Sequence, residues 1–240
     1  PTIDPVAPQC YSGNPFTITM GGNVFTGSSI QYGINGVYTT NPIKTIPGAG
    51  SYNLTVKDDN GCISPVEVYD VIDQLTISAK LDRNITCFTI ADAQITLSAD
   101  GGIAGDYTYE YKVGTGGTYL PVVGNVINTS SPGDYYFRVT SGECFAETTA
   151  PVKVTAKVDP EITGITQTQF IKCNGDETAA INIAIDNSKG LAPFVFNVSR
   201  YTDNTYTLLA RDYVTQTSGL AAGFYRITVT DAKGCTDTRN

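Results

Sequence analysis

The sequence predicts an all-β chain built from three tandem sandwich modules set end to end. Two features predict this: a strand pattern written three times, and cysteines that keep step with it. The copies are Gly50-x-Tyr52-x-Leu54-x-Val56-x-Asp58, Gly133-x-Tyr135-x-Phe137-x-Val139-x-Ser141 and Gly223-x-Tyr225-x-Ile227-x-Val229-x-Asp231. Apolar residues at every second position mark a strand with one buried face. Recurrence at intervals of about 80 to 90 residues marks an array of similar units. The expected modules cover residues 1–73, 74–159 and 160–240.

Each copy runs into a tight turn and then a cysteine: Cys62, Cys144 and Cys235. Asp58-Asp59-Asn60-Gly61 and Asp231-Ala232-Lys233-Gly234 fit hairpin loops in which Gly61 and Gly234 take the left-handed position. The second copy has only Ser141-Gly142-Glu143 there, so its hairpin must differ. Upstream, Ile18, Ile95 and Ile181 each follow a first cysteine by eight residues and open alternating runs. An aromatic strand comes next: Ile30, Tyr32 and Ile34; Tyr107, Tyr109 and Tyr111; Phe194, Phe196 and Val198. The middle of each module is polar and variable and carries shorter edge strands. No stretch has helical periodicity with caps. Short strands punctuated by Gly, Pro and Asn read as immunoglobulin-like β-sandwiches, and Tyr52, Tyr135 and Tyr225 fit tyrosine corners. The joins near Asp73 and Asp159-Pro160 lack Gly/Ser runs, so a semi-rigid rod is expected.

Composition narrows the function classes. Charged residues are 16% of the chain and the formal net charge is −8. No basic stripe is available to displace counterions, which argues against nucleic acid and against anionic membrane surfaces. No apolar run is long enough to insert directly into a bilayer. The third copy stops five residues after Cys235, where the others continue for about ten strand-like residues. It therefore reads as a module lacking its last strand, in a fragment of a longer protein.

Six cysteines allow fifteen connectivities, which sequence alone does not resolve. Pairing within modules treats the three alike: Cys10 with Cys62, Cys87 with Cys144, Cys173 with Cys235. Pairing across the joins, Cys62 with Cys87 and Cys144 with Cys173, would strand Cys10 and Cys235. With no CxxC pair and no histidine, zinc ligation is disfavoured and disulfides are expected. They imply an oxidising, extracellular setting.

The chain reads as non-enzymatic. Without histidine, Ser-His-Asp and Cys-His catalysis are excluded. No cofactor is expected. Asp58 and Asp59, or Asp176 and Glu177, offer oxygen ligands for a structural calcium ion, but no EF-hand or nonapeptide pattern accompanies them, and turn formation already explains the aspartates. Of the fifteen tyrosines most sit at core-compatible spacing, while Tyr201 and Tyr206 lie in the variable stretch and are the candidate ligand contacts for a polysaccharide.

One segment carries a resemblance. Cys173-Asn174-Gly175, Gly190-Leu191-Ala192-Pro193-Phe194 and the run Gly219-Leu220-Ala221-Ala222-Gly223 through Asp231-Ala232-Lys233-Gly234-Cys235 together resemble a SprB repeat. Module one keeps Cys10, Gly13, Gly50, Tyr52, Asp58, Gly61 and Cys62, and module two departs most. Such repeats recur in the giant surface adhesins of gliding Bacteroidetes. The resemblance implies export by the type IX route, a cell-surface location and a part in attachment and gliding motility. Its partners would be neighbouring repeats and the substratum or its polysaccharide. It implies no catalytic residue.

Overall fold

The computed structural model describes residues 1–25, 28–88, 92–209 and 213–240. Every regular element among them is a β-strand. The chain forms two compact units: one of residues 1–80, 95–127 and 134–152, the other of 81–94, 128–133 and 153–240. The repeats at 1–73 and 74–159 supply most of the first unit, and 160–240 lies in the second.

In the first unit, Phe16–Thr19 pairs antiparallel with Ile43–Ile46. Facing this pair is a sheet in which Gln31–Ile34, Gly50–Lys57 and Glu67–Arg83 lie side by side. Ile18, Met20 and Ile46 from one layer bury against Leu54, Tyr69 and Val71 from the other, as the alternation requires. Asn35-Gly36 closes a two-residue hairpin, with Ile34 opposite Val37 and both turn residues at positive φ.

Glu67–Arg83 is one uninterrupted strand of 17 residues, so the expected join at Asp73 falls inside a strand. Its first part borders Gly50–Lys57, and Ala93–Gly102 lies along its other edge. The odd-numbered face stays inward, with Tyr69 and Val71 buried, Asp73 exposed, and Leu75 buried again. A second layer contains Leu120–Val122, Thr108–Val113, Gly133–Ser141 and Cys144–Glu147. Ile95 and Leu97 in the first of these layers, and Phe137 and Val139 in the second, are fully buried.

The second unit repeats the plan. Ile162–Gln169, Ala179–Ile185 and Gln216–Leu220 form one sheet, and Thr205–Leu208, Val195–Thr202, Tyr225–Thr230 and Thr236–Arg239 the other. Ile162 and Ile183 close on Phe196, Val198, Ile227 and Val229.

The disulfides correct the sequence expectation. Cys10 is bonded to Cys144 and Cys87 to Cys235, with Cα separations of 5.6 and 4.9 Å, while Cys62 and Cys173 are free and exposed. None of the within-module pairs forms. The cause is which end of the tyrosine strand each cysteine occupies. Gln9–Cys10 runs parallel to Glu67–Arg83, with Gln9 opposite Val71, and Val71 in turn lies opposite Gly50. Cys10 is therefore held at the Gly50 end of its module, whereas Cys62 follows Lys57 at the other. Eight residues of strand span roughly 25 Å, far beyond the reach of a disulfide. Peptide mapping without reduction should yield Cys10–Cys144 and Cys87–Cys235 fragments together with two alkylatable thiols. A Cys10–Cys62 fragment would refute the arrangement.

Candidate functional site

The chemistry of this chain concentrates at the hairpins that end the tyrosine strands. In Asp231–Cys235 the aspartate organises the turn. Its Oδ1 accepts from the backbone N–H of Lys233 at 2.9 Å and of Cys235 at 2.8 Å, and its Oδ2 from Leu191 N–H at 2.9 Å. Backbone bonds from Asp231 N–H to Cys235 O and from Gly234 N–H to Asp231 O complete it. Asp58–Cys62 has the same internal bonds, since Asp58 Oδ1 accepts from Asn60 and Cys62, Asp58 N–H donates to Cys62 O and Gly61 N–H to Asp58 O, but Asp58 Oδ2 is buried without a partner. Gly61 and Gly234 have φ of 88° and 76°, the left-handed conformation that this loop asks of glycine.

The second hairpin differs, as its length requires. Ser141 pairs directly with Cys144 across Gly142-Glu143. Ser141 is fully buried, and its Oγ accepts from Ile103 N–H at 2.8 Å. That bond takes the place of the Leu191-to-Asp231 bond in the third repeat.

The last hairpin is docked. Cys87 N–H donates to Lys233 O at 2.8 Å, and Lys233 Nζ reaches Thr155 Oγ1 and Ala156 O. The Phe88 ring packs so closely on Gly234 that a Cβ there would lie 2.5 Å from it. Cys235 is consequently 1% exposed. Cys87, Asp159 and Cys235 bring ligand atoms together, but both sulfurs are spent in the disulfide.

The other sequence-derived candidates are placed as follows. The Tyr52 hydroxyl donates to Gly48 O at 2.8 Å and that of Tyr225 to Ala221 O at 2.7 Å, each the four-residue reach of a tyrosine corner. Tyr135 is buried and stacks on Tyr111 at 6.0 Å between centroids. Tyr201 and Tyr206 face each other across a hairpin whose turn, Asp203-Asn204, has both residues at positive φ. Their rings are 5.0 Å apart and tilted by 52°, and the Arg226 guanidinium lies 3.9 Å over Tyr206. Beside them Tyr206, Phe224, Tyr225 and Ile181 line an open apolar recess of about 340 Å³. Sequence reasoning missed Phe224, which is 77% exposed although it adjoins a corner tyrosine. Of the calcium candidates, Asp58 uses Oδ1 in its turn while its buried Oδ2 has no partner, Asp59 Oδ2 accepts from Ser29 N–H and Asp176 Oδ2 from Cys173 N–H. Glu177 lines a small recess with Arg200 and Tyr225.

A polar ladder on the second repeat was also unforeseen. Glu110, Arg138 and Glu147 stand opposite one another on three adjacent strands. Arg138 donates through two nitrogens to Glu147 Oε1, lies 3.8 Å from Glu110 and stacks 4.0 Å over the Tyr119 ring. The Arg138 hydrogen bonds hold the Glu147 carboxyl below the usual carboxylate range, and burial pushes the Tyr119 hydroxyl up. A depressed carboxyl stabilises the fold above its unfolded pKa, and that contribution fades as pH falls through the folded value. Glu147→Gln should lower the melting temperature by only about 1–2 °C at pH 7, because exposed pairs are weak. The difference from the parent should begin to shrink near the ordinary glutamate pKa of about 4.3 and vanish only once pH has fallen through the lower folded value. A gap that widens in acid would contradict this assignment.

No family model and no curated protein matches the chain. Among solved structures it is similar to three N-terminal domains of the bacteriophage RB49 Highly Immunogenic Outer Capsid protein, at 12% identity and a TM-score of 0.46, covering 94% of this chain and 91% of that one. A bacterial ice-binding adhesin of 1.5 MDa, studied for host cell surface retention, gives 14% identity and a TM-score of 0.44, covering 99% and 93%. The SGBP-B protein of Bacteroides ovatus, solved with a mixed-linkage heptasaccharide, gives 14% and 0.22, covering 96% and 63%. Overlays this loose assign neither a function nor a ligand to the chain.

Proposed function

We propose that this chain is a non-enzymatic segment of an extracellular, cell-surface adhesin, a disulfide-stapled stalk that carries tension during attachment and gliding motility. The observation that carries the reading is the staggered stapling. Each bond joins the start of one repeat to the hairpin of the next, so covalent links run along the array and do not merely close its members. The continuous strand Glu67–Arg83 adds a join without a flexible linker. A stalk needs both properties, and a dilute secreted enzyme needs neither. The resemblance of the third repeat to SprB modules supplies the gliding context, and neighbouring repeats are the natural partners.

A second reading, a polysaccharide-binding module, is favoured by the recess beside Tyr206 and Phe224. Against it, the Arg226 guanidinium occupies one face of Tyr206 that a sugar ring would stack on. A glycan array probed with the intact chain separates the two. The stalk reading expects no retained glycan. Retention that disappears on Tyr206→Ala or Phe224→Ala would transfer the function to the second reading.

A further inference from the structure

We infer that Cys62 and Cys173 are the two open ends of a head-to-tail disulfide ladder, each completed by a cysteine of another repeat of this kind. Cys62 would take the leading cysteine of one such repeat, and Cys173 the hairpin cysteine of another. The inference goes beyond the adhesive reading and does not depend on it.

Two independent observations carry it. The first is the rule of pairing. In both bonds present, a leading cysteine (Cys10, Cys87) joins the hairpin cysteine of the following repeat (Cys144, Cys235). That rule uses every cysteine except the first hairpin's and the last leader's, and those two are the free thiols.

The second is the state of the two matching hairpins. Asp58–Cys62 and Asp231–Cys235 share their internal hydrogen bonds, so the receiving surface is already formed in both. Only the later one is covered. Gly234 meets the Phe88 ring, while the space over Gly61 is open. Cys235 is buried at 1% exposure and Cys62 is exposed. Around the bare hairpin, Ile63 and Val66 stay 52% and 56% exposed, and Phe170 near Cys173 is 71% exposed. These apolar residues are placed to be covered by the docking partner.

Closing each bond joins two thiols and releases two protons and two electrons. A small disulfide such as oxidised glutathione takes them up and leaves as two glutathione thiols. The test uses the full 240-residue chain in a glutathione redox buffer at high protein concentration. The parent should form a ladder of linear multimers on non-reducing gels, with the new cross-link mapping to Cys62 of one copy and Cys173 of the next. Cys62→Ser alone and Cys173→Ser alone should each remain monomeric. Mixed together, they should form a dimer and nothing larger. Both positions are exposed, so circular dichroism of the variants should match the parent. Homotypic Cys62–Cys62 or Cys173–Cys173 dimers as abundant as the mixed one would overturn the inference. So would an internal Cys62–Cys173 bond within one copy, or thiols that stay unpaired.

Discussion

Stretched between its termini with both disulfides intact, the chain should lengthen to about 250 Å, against roughly 800 Å once reduced, at ~3.5 Å per residue. The bonds interleave: Cys10–Cys144 spans 134 residues and Cys87–Cys235 spans 148, and each opens or closes inside the other's loop. The shortest covalent route from Pro1 crosses from Cys10 to Cys144, returns through the chain to Cys87, and crosses to Cys235. That route contains only about 70 residues of backbone. Reductant should therefore triple the extension seen in single-molecule pulling. Cys62→Ser should leave the oxidised length unchanged, because its thiol is free. Pairing within repeats would instead make that substitution release about 50 further residues. An oxidised chain that extends as far as the reduced one would end the tether reading.

Asp231→Ala should cost about 3 kcal/mol, the largest single-residue loss expected at a hairpin. Its carboxylate is only 5% exposed and accepts three backbone N–H groups, from Lys233, Cys235 and Leu191. Alanine leaves all three donors without a partner in a site with little room for water. Each such donor costs about 1–3 kcal/mol, partly recovered by local relaxation. Asp231→Asn should lose less, since one carbonyl oxygen can still accept from Lys233 and Cys235. Urea unfolding of the oxidised protein measures both. A loss below about 1 kcal/mol for alanine would show that the turn holds without its carboxylate.

The strands were legible in the sequence because their cause is local. Leu54 and Val56, Phe137 and Val139, and Ile227 and Val229 alternate with polar neighbours, and the structure buries each of them. The hairpin aspartates and glycines were legible for the same reason, since a loop of this kind must bond its own backbone. The disulfide pairing was not. Repeat symmetry allows three schemes: closing each repeat, joining each hairpin cysteine to the next leader, and joining each leader to the next hairpin cysteine, which is the one found and the one the spacing did not suggest. What selects between them is the parallel placement of Gln9–Cys10 beside Val71, a contact across some 60 residues that no spacing rule expresses. That the join near Asp73 lies inside a single strand was not legible, because the absence of a Gly/Ser run shows only that the join is short and not that pairing continues through it. The ladder of Glu110, Arg138 and Glu147 depends on the register of three strands, which again is fixed only once they pair.

The reach of the Cys10–Cys144 bond also sets a timetable for making the protein. When the reduced chain reaches an oxidising compartment, Cys62 lies only 52 residues from Cys10 whereas Cys144 lies 134 away. The shorter loop closes more readily, so the nearest available thiol is the wrong one. The first repeat contains its own safeguard. Once Gly50–Lys57 has paired with Glu67–Arg83, Cys10 and Cys62 sit at opposite ends of a strand, and premature closure would require unfolding it. Quick local folding thus keeps Cys10 in waiting, and the slower, distant bond becomes the one that forms.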